Sequence, residues 1–301
     1  MPRARQIPMQ MKPYGRFGLD VSVLGLGAGQ VGDEKLLESD AAQLLNTALD
    51  LGITLIDTAR GYGQSEERIG RHLSHRRAEF VLSTKVGYSI EGHPDWSAGI
   101  IEAGVDEALR RMRTDYIDIV HLHSCELSTL QAGDVVDALM RVREKGKIRV
   151  AAYSGENQAL DWAVASGCFG GVECSVNLFD QSNLGDPLSR ARKDGLGVIA
   201  KRPLGNAPWR FGERPVGDYA ETYWERMHRL AYDTTGLAWD EFALRFSAWQ
   251  SEVSCAIVGT ASVAHLRHNV EIAAKGPLPA DVAIAVQDRF AACGGNWAGQ
   301  V

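Results

Sequence analysis

A short apolar run followed by an amphipathic helix recurs eight times along this chain. The apolar runs span 23–28, 53–57, 79–86, 116–123, 148–154, 171–176, 196–201 and 253–258. The helical stretches span 36–51, 65–73, 97–112, 129–145, 158–165, 186–193, 239–249 and 262–274. In 97–112 the apolar residues Ile100, Ile101, Val105, Leu109 and Met112 fall close to a 3.6-residue period. Ser39 and Asp40 lie near the start of 36–51 and Gly52 stops it. Continuous apolar strands suit a sheet covered on both faces. Strand–helix alternation implies right-handed βαβ units and a parallel sheet. Eight units in about 250 residues is the (β/α)8 count, so an α/β TIM barrel is expected.

One barrel domain over 1–301 accommodates the whole chain, whose 301 residues are 45% hydrophobic. Residues 13–21 suggest an N-terminal β-hairpin closing the barrel bottom. Residues 202–235 form a long connection after strand seven, and 275–301 a C-terminal helix and tail. Long βα loops on that face commonly carry function.

Composition narrows the partners. The formal net charge is −6, without a basic excess, which argues against nucleic acid. No apolar run approaches the roughly 18 residues that span a bilayer. The basic start Met1-Pro2-Arg3-Ala4-Arg5 is followed by no apolar segment of the signal-peptide kind. Cys125, Cys168, Cys174, Cys255 and Cys293 are odd in number and lack a C-x-x-C pair. They read as reduced thiols of a cytoplasmic protein, with no zinc or disulfide framework and no metal site.

Gly27-Ala28-Gly29-Gln30-Val31-Gly32 matches G-x-G-x-x-G after an apolar strand. A dinucleotide fingerprint of that kind needs its helix to begin inside the turn, with an acid about 20 residues further on. Here the helix signals start near Ser39, and Asp57 lies 25 residues past Gly32. Close backbone packing at a barrel rim explains the glycines better.

Asp57, Lys85 and His123 each end an apolar run, and Tyr62 lies five residues past Asp57 on a loop flanked by Gly61 and Gly63. In a parallel barrel these ends converge on one mouth. Asp57 should then hold the Lys85 ammonium, and the ammonium should lower the Tyr62 pKa. A phenol so tuned can exchange a proton with a substrate oxygen, which His123 can orient. His121 lies two residues before His123 on the same face and competes for that role. A purely structural Asp57–Lys85 ion pair is the alternative, although buried pairs gain little stability.

The stretch Asp57–Glu66 resembles the D-T-A-x-x-Y-G-x-S-E signature of the aldo-keto reductases. Val81–Val86 resembles that family's strand-three lysine motif. Leu109–Asp118 resembles its S-L-x-R-L-x-x-D-Y-I-D segment, and Gly146-Lys147-Ile148-Arg149 with Tyr153-Ser154 resembles G-K-I-R-x-x-G-V-S. The resemblance implies a barrel binding NADP(H), or NAD(H), across its top. It also implies hydride transfer between nicotinamide C4 and a carbonyl carbon. Tyr62 would be the general acid, tuned by Lys85 and Asp57. The family's histidine falls on His123.

For the coenzyme, the resemblance implies Ser154 at the carboxamide and Glu173 where the family has glutamine. The asparagine expected after the serine is Gly155, so that contact could move to Asn157. Lys201, followed by Arg202, Pro203 and Leu204, takes the place of the stacking aromatic, with Arg202 placed for the pyrophosphate. Gly259, Thr260, Ser262, His265, Arg267 and Asn269 fall on the segment that holds adenosine and a 2′-phosphate. NADP(H) is preferred on this reading. Trp96, Trp209, Phe211, Trp224 and Trp297 are candidate pocket walls. No pattern selects among sugars, aldehydes, ketones or quinones. Two rival functions share the residues: a class I aldolase with Lys85 as Schiff base, and a coenzyme-binding regulatory subunit of low turnover.

Overall fold

A computed structural model describes residues 9–301. The basic start at Met1–Arg5 lies outside the described residues. Two short antiparallel strands come first, β1 (Met11–Pro13) and β2 (Asp20–Ser22). Eight strands then close a parallel barrel: β3 (Leu24–Gly27), β4 (Leu55–Asp57), β5 (Val81–Val86), β6 (Ile117–His123), β7 (Ile148–Ser154), β8 (Gly171–Ser175), β9 (Gly197–Lys201) and β10 (Cys255–Gly259). β10 pairs with both β9 and β3, so the sheet has no free edge.

The helices are α1 (Glu38–Asp50), α2 (Ser65–Leu73), α3 (Ala98–Met112), α4 (Leu127–Ala132), α5 (Asp134–Glu144), α6 (Asn157–Ala165), α7 (Asp186–Lys193), α8 (Glu221–Leu230), α9 (Trp239–Ala248), α10 (Val263–Ala273) and α11 (Ala280–Gly294). The helix expected over 129–145 is two helices. Gly133 separates them with φ +90°, a left-handed conformation that ends α4 and is easy only for glycine. The 202–235 connection is not bare loop. It holds a short 3-10 turn at Pro208–Arg210 and all of α8.

Strand alternation sorts the core into two layers. Leu55, Val81, Ile119, Val150, Ala152, Ile199, Cys255 and Ile257 fill the barrel interior. Their neighbours Ile56, Leu82, Val120, Ala151, Val198 and Ala256 face the helices. The hairpin loop closes the lower end, with Tyr14, Leu19 and Val21 joining the interior layer. A Cβ at Gly171 or Gly197 would lie 2.0 or 2.4 Å from the Tyr14 ring or its hydroxyl. Glycine at the start of β8 and β9 is what admits that plug. A third apolar cluster joins Leu178 and Phe179 to α8, α9 and α11 and anchors the long connection beside the upper rim.

Register places the upper rim. Asp57 pairs with Ser83, Lys85 with His121, and His123 with Ser154, which itself pairs with Glu173. Each polar residue thus stands beside the next at the C-terminal ends of the strands. No helix among the described residues is long and apolar enough to cross a membrane.

Candidate active site

The site begins with one buried ammonium. Lys85 Nζ donates to Asp57 Oδ2 at 2.5 Å and to the Thr58 carbonyl at 3.0 Å. Ser83 Oγ donates to the other Asp57 oxygen at 2.7 Å. A second carboxylate is present: Glu173 Oε2 lies 3.3 Å from the same Nζ, without an aligned hydrogen bond. Glu173 Oε1 accepts from Ser154 Oγ at 3.3 Å. Asp57, Lys85 and Glu173 are all buried. Asp57, His121 and Glu173 bring donor atoms within 4.8 Å of one another, a spacing that could hold a metal. The Lys85 ammonium already stands among them and supplies the positive charge.

Two carboxylates competing for one ammonium set the titration. Burial and the Glu173 charge push Asp57 up to about 7 against the pull of Lys85. Burial also works against ionised Glu173, but Lys85 and His121 hold it low. The pair therefore shares its last proton as a unit. Burial alone would favour a neutral Lys85 amine, yet Asp57 and Glu173 reverse this and keep it protonated.

Tyr62 lies above this cluster, with Lys85 Nζ 5.3 Å from its ring centre. The expected lowering of its pKa does not result. Lys85 draws the phenol down, but burial, Asp57 and Glu173 together outweigh it and leave it above its ordinary value. His123 meets Tyr62 edge to face, at 6.0 Å between ring centres. Burial, aided by Lys85, lowers His123 to about 3, so the imidazole is neutral. His121 is buried lower in the interior beside Ser83 Oγ, at 3.2 Å, and only His123 of the two lines the cavity.

The glycine-rich turn serves Tyr62. A Cβ on Gly32 would lie 1.7 Å from the Tyr62 carbonyl oxygen. Gln64 N–H donates to the Gly32 carbonyl at 3.1 Å, and Gly63 turns with φ +51° against that carbonyl. Ser65 Oγ, which accepts from Thr58 Oγ1, donates to the Ala28 carbonyl at 2.8 Å. Thus Gly27–Gly32 holds the catalytic-type loop instead of starting a Rossmann helix.

A cavity of about 750 Å³ opens above these groups. Asp57, Tyr62, His123, Ser154, Glu173, Lys201, Arg202, Pro203, Leu204 and Gly259 all line it. Lys201 Nζ pairs with the buried Glu156 at 3.3 Å, and Arg202 donates to the Gln300 carbonyl. Asn157 is not a substitute at position 155, because its amide is engaged with the Gly299 backbone, at 2.8 and 3.1 Å. Gly155 has its own cause: a Cβ there would lie 2.2 Å from the Tyr153 hydroxyl.

Thr260, Ser262, His265, Arg267 and Asn269 lie beyond the cavity on the turn after β10 and on α10. Ser262 Oγ accepts from His265 N–H at 3.3 Å and caps α10, while Thr260 Oγ1 accepts from Ser262 N–H at 3.0 Å and closes the turn before it. His265 and Arg267 are exposed, and Asn269 is buried.

The expected aromatic walls are elsewhere. Trp209 stacks on Trp239 at 5.9 Å, Trp297 packs on Phe290, and Trp224 donates to the Phe211 carbonyl. Trp96 packs against Gly87 and Tyr88. The cavity lining is instead mixed, with Ser124, Asn206, Arg210, Asp218 and Tyr219 beside Leu204, Ala207 and Val301. Reading of the sequence missed these and also Tyr88, whose hydroxyl lies beside His123. Only the unusual length of the 202–235 connection pointed toward four of them.

These groups fit a nicotinamide coenzyme by two observations. Gly27 and Gly29 bring bare backbone to the cavity wall, the Gln30 amide lies against Gly259, and Ser154 and Glu173 offer amide partners at its floor. The comparisons agree. L-Galactose dehydrogenase of Arabidopsis thaliana is 29% identical over 286 residues, covering 87% of this chain and 87% of its own length. D-threo-Aldose 1-dehydrogenase of a Pseudomonas species is 27% identical over 298 residues, covering 85% of this chain and 91% of its own. The holo form of an aldo-keto reductase from Bacillus halodurans superposes with a TM-score of 0.79 at 24% identity, covering 93% of this chain and 96% of that one. Residues 23–288 match the model of the Aldo/keto reductase family, and the chain belongs to that family.

Proposed function

We propose that this chain is an NADP(H)-dependent oxidoreductase that interconverts a small polar carbonyl compound and its alcohol, with NAD(H) as the lesser coenzyme. One observation carries the reading: a protonated phenol and a neutral imidazole share the mouth of a cavity, above a lysine locked in its charged form. A bound nicotinamide supplies or takes the hydride. Tyr62 gives the substrate oxygen its proton, and His123 donates a hydrogen bond that orients that oxygen. Lys85 and Asp57 fix the charge beneath the phenol. Ser154 and Glu173 hold the carboxamide end, and Lys201, Arg202, Pro203 and Leu204 flank the coenzyme. Gly259, Thr260, Ser262, His265 and Asn269 lie toward the adenosine.

The exposed Arg267 on α10 supports a 2′-phosphate and hence NADP(H). The polar groups of the lining and the two sugar dehydrogenases among the relatives favour an aldose or related polyol as substrate. The five cysteines are all free, in keeping with a cytoplasmic setting. A Schiff base on Lys85 needs a neutral amine, which Asp57 and Glu173 oppose, so the aldolase reading is disfavoured.

The test is coenzyme turnover with a panel of aldoses, small aldehydes and their alcohols, using NADP(H) and NAD(H). Tyr62→Phe should lower kcat at least about 100-fold while NADPH affinity stays within about threefold. A fully active Tyr62→Phe would end the acid assignment. Coenzyme binding without turnover across the panel would favour the regulatory alternative. Arg267→Ala should weaken NADPH about tenfold and leave NADH unchanged.

A further inference from the structure

Glu173 is superfluous to the placement of Lys85. Asp57 and the Thr58 carbonyl already take two donors of the ammonium at 2.5 and 3.0 Å. Glu173 Oε2 lies 3.3 Å from Nζ without an aligned hydrogen bond, and His121 Nε2 is 3.9 Å away. The nearest other cation, Lys201, is paired with Glu156 at 3.3 Å, and Arg202 is turned to the Gln300 carbonyl and Ser175 Oγ. The cluster around Lys85 therefore carries two carboxylates for one cation, and the surplus charge sits on the floor of the cavity.

We infer that Glu173 makes the bound coenzyme harder to reduce, favouring the oxidised nicotinamide and so the oxidation of an alcohol or hemiacetal substrate. The inference rests on the coenzyme reading above and adds a direction to it. The oxidised nicotinamide ring carries a positive charge and the reduced ring carries none. A fixed negative charge on the buried Glu173 stabilises the first and leaves the second nearly unaffected. In that direction the substrate C–H and O–H bonds break and a carbonyl forms. The hydride reduces the oxidised coenzyme, and the hydroxyl proton goes to Tyr62 in its phenolate form, the phenol having first lost its own proton to solvent. A neutral glutamine at 173 would keep an amide partner and remove the electrostatic preference.

The experiment is equilibrium binding of NADP+ and NADPH, by calorimetry, to the wild-type protein, Glu173→Gln and Glu173→Asp. It is run at about pH 8.5, where both carboxylates of the pair are ionised. The expected result is a rise of about tenfold in Kd(NADP+)/Kd(NADPH) for Glu173→Gln, and a ratio within about twofold of wild type for the charge-conserving Glu173→Asp. An unchanged ratio in Glu173→Gln, or an equal rise in Glu173→Asp, overturns the inference. If Glu173→Gln does not fold, the wild-type ratio decides: NADPH bound more than about tenfold tighter than NADP+ overturns it. Failure of wild type to bind either form overturns the coenzyme reading, and the inference with it.

Discussion

The Tyr88 hydroxyl lies 2.5 Å from His123 Nδ1. Burial pushes the Tyr88 phenol up to about 12, so it keeps a proton that it can donate. The neutral imidazole carries one proton, and where Nδ1 accepts from Tyr88, that proton is on Nε2. Tyr88 is then expected to select the tautomer of His123 that can donate to a substrate oxygen. Tyr88→Phe should lower kcat about fivefold with little change in KM, matching the loss of one hydrogen bond of about 1 kcal/mol. Nitrogen NMR of His123 should show a single Nε2–H tautomer in wild type and a mixture in the variant. An unchanged tautomer would sink the assignment.

Removing the cation should damage the fold as well as the chemistry. Lys85→Met leaves Asp57 and Glu173 buried together without a partner charge. Breaking one side of a buried pair costs about 3–5 kcal/mol. Urea denaturation should show a loss of that size, and adding Asp57→Asn should restore part of it. Additive losses in the double variant would contradict a shared charge cluster.

Gly32→Ala tests whether the glycine-rich turn serves Tyr62. The new Cβ would collide with the Tyr62 carbonyl oxygen, a backbone atom that cannot rotate away. The loop must shift, at about 1–3 kcal/mol, and the phenol with it. The expected outcome is a lower Tm and a fall in kcat larger than the fall in coenzyme affinity. Full activity would mean that the turn has no part in placing the phenol.

The buried histidines predict the acid limb of stability. Burial, the largest cause, holds His121 at about 4 and His123 at about 3, below the unperturbed value near 6.5. Between those values the unfolded chain binds protons that the folded chain does not. The stability these groups contribute is therefore present above about pH 6.5 and is lost as pH falls toward 4. Asp57, raised to about 7, acts in the opposite sense and cancels about one proton. Each neutral histidine contributes a slope of up to about 1.4 kcal/mol per pH unit across this window, against which the raised carboxyls of Asp57, Glu66 and Asp180 act. Denaturant unfolding at several pH values measures the balance, and His123→Asn should remove about one histidine's share of it. An unchanged pH dependence in His123→Asn would be incompatible with a neutral buried imidazole.

The sequence determined the barrel and the identity of its reactive groups. Eight apolar runs with helices between them admit one closed parallel sheet, and α2, α7 and β7 fall at the expected bounds. Asp57, Lys85 and His123 could be placed because period-two alternation sends the end residue of a buried strand inward, and the strands end on one rim. Local chemistry also located the hairpin, whose strands fall at its predicted ends.

Tertiary structure alone decided what each group does to the next. Barrel closure put Glu173 beside Lys85, and burial, with Asp57 and Glu173, reversed the expected direction of the Tyr62 pKa. Loop packing brought Tyr88 to His123 over 35 residues of sequence separation. It also drew Trp209 and Trp297 into a side cluster and left a cavity of mixed lining. The physical reason is range. Periodicity and turn chemistry act within a few residues, so they can be read along the chain. Charge coupling acts through space, so its sign depends on which side chains the closed barrel brings within a few ångströms.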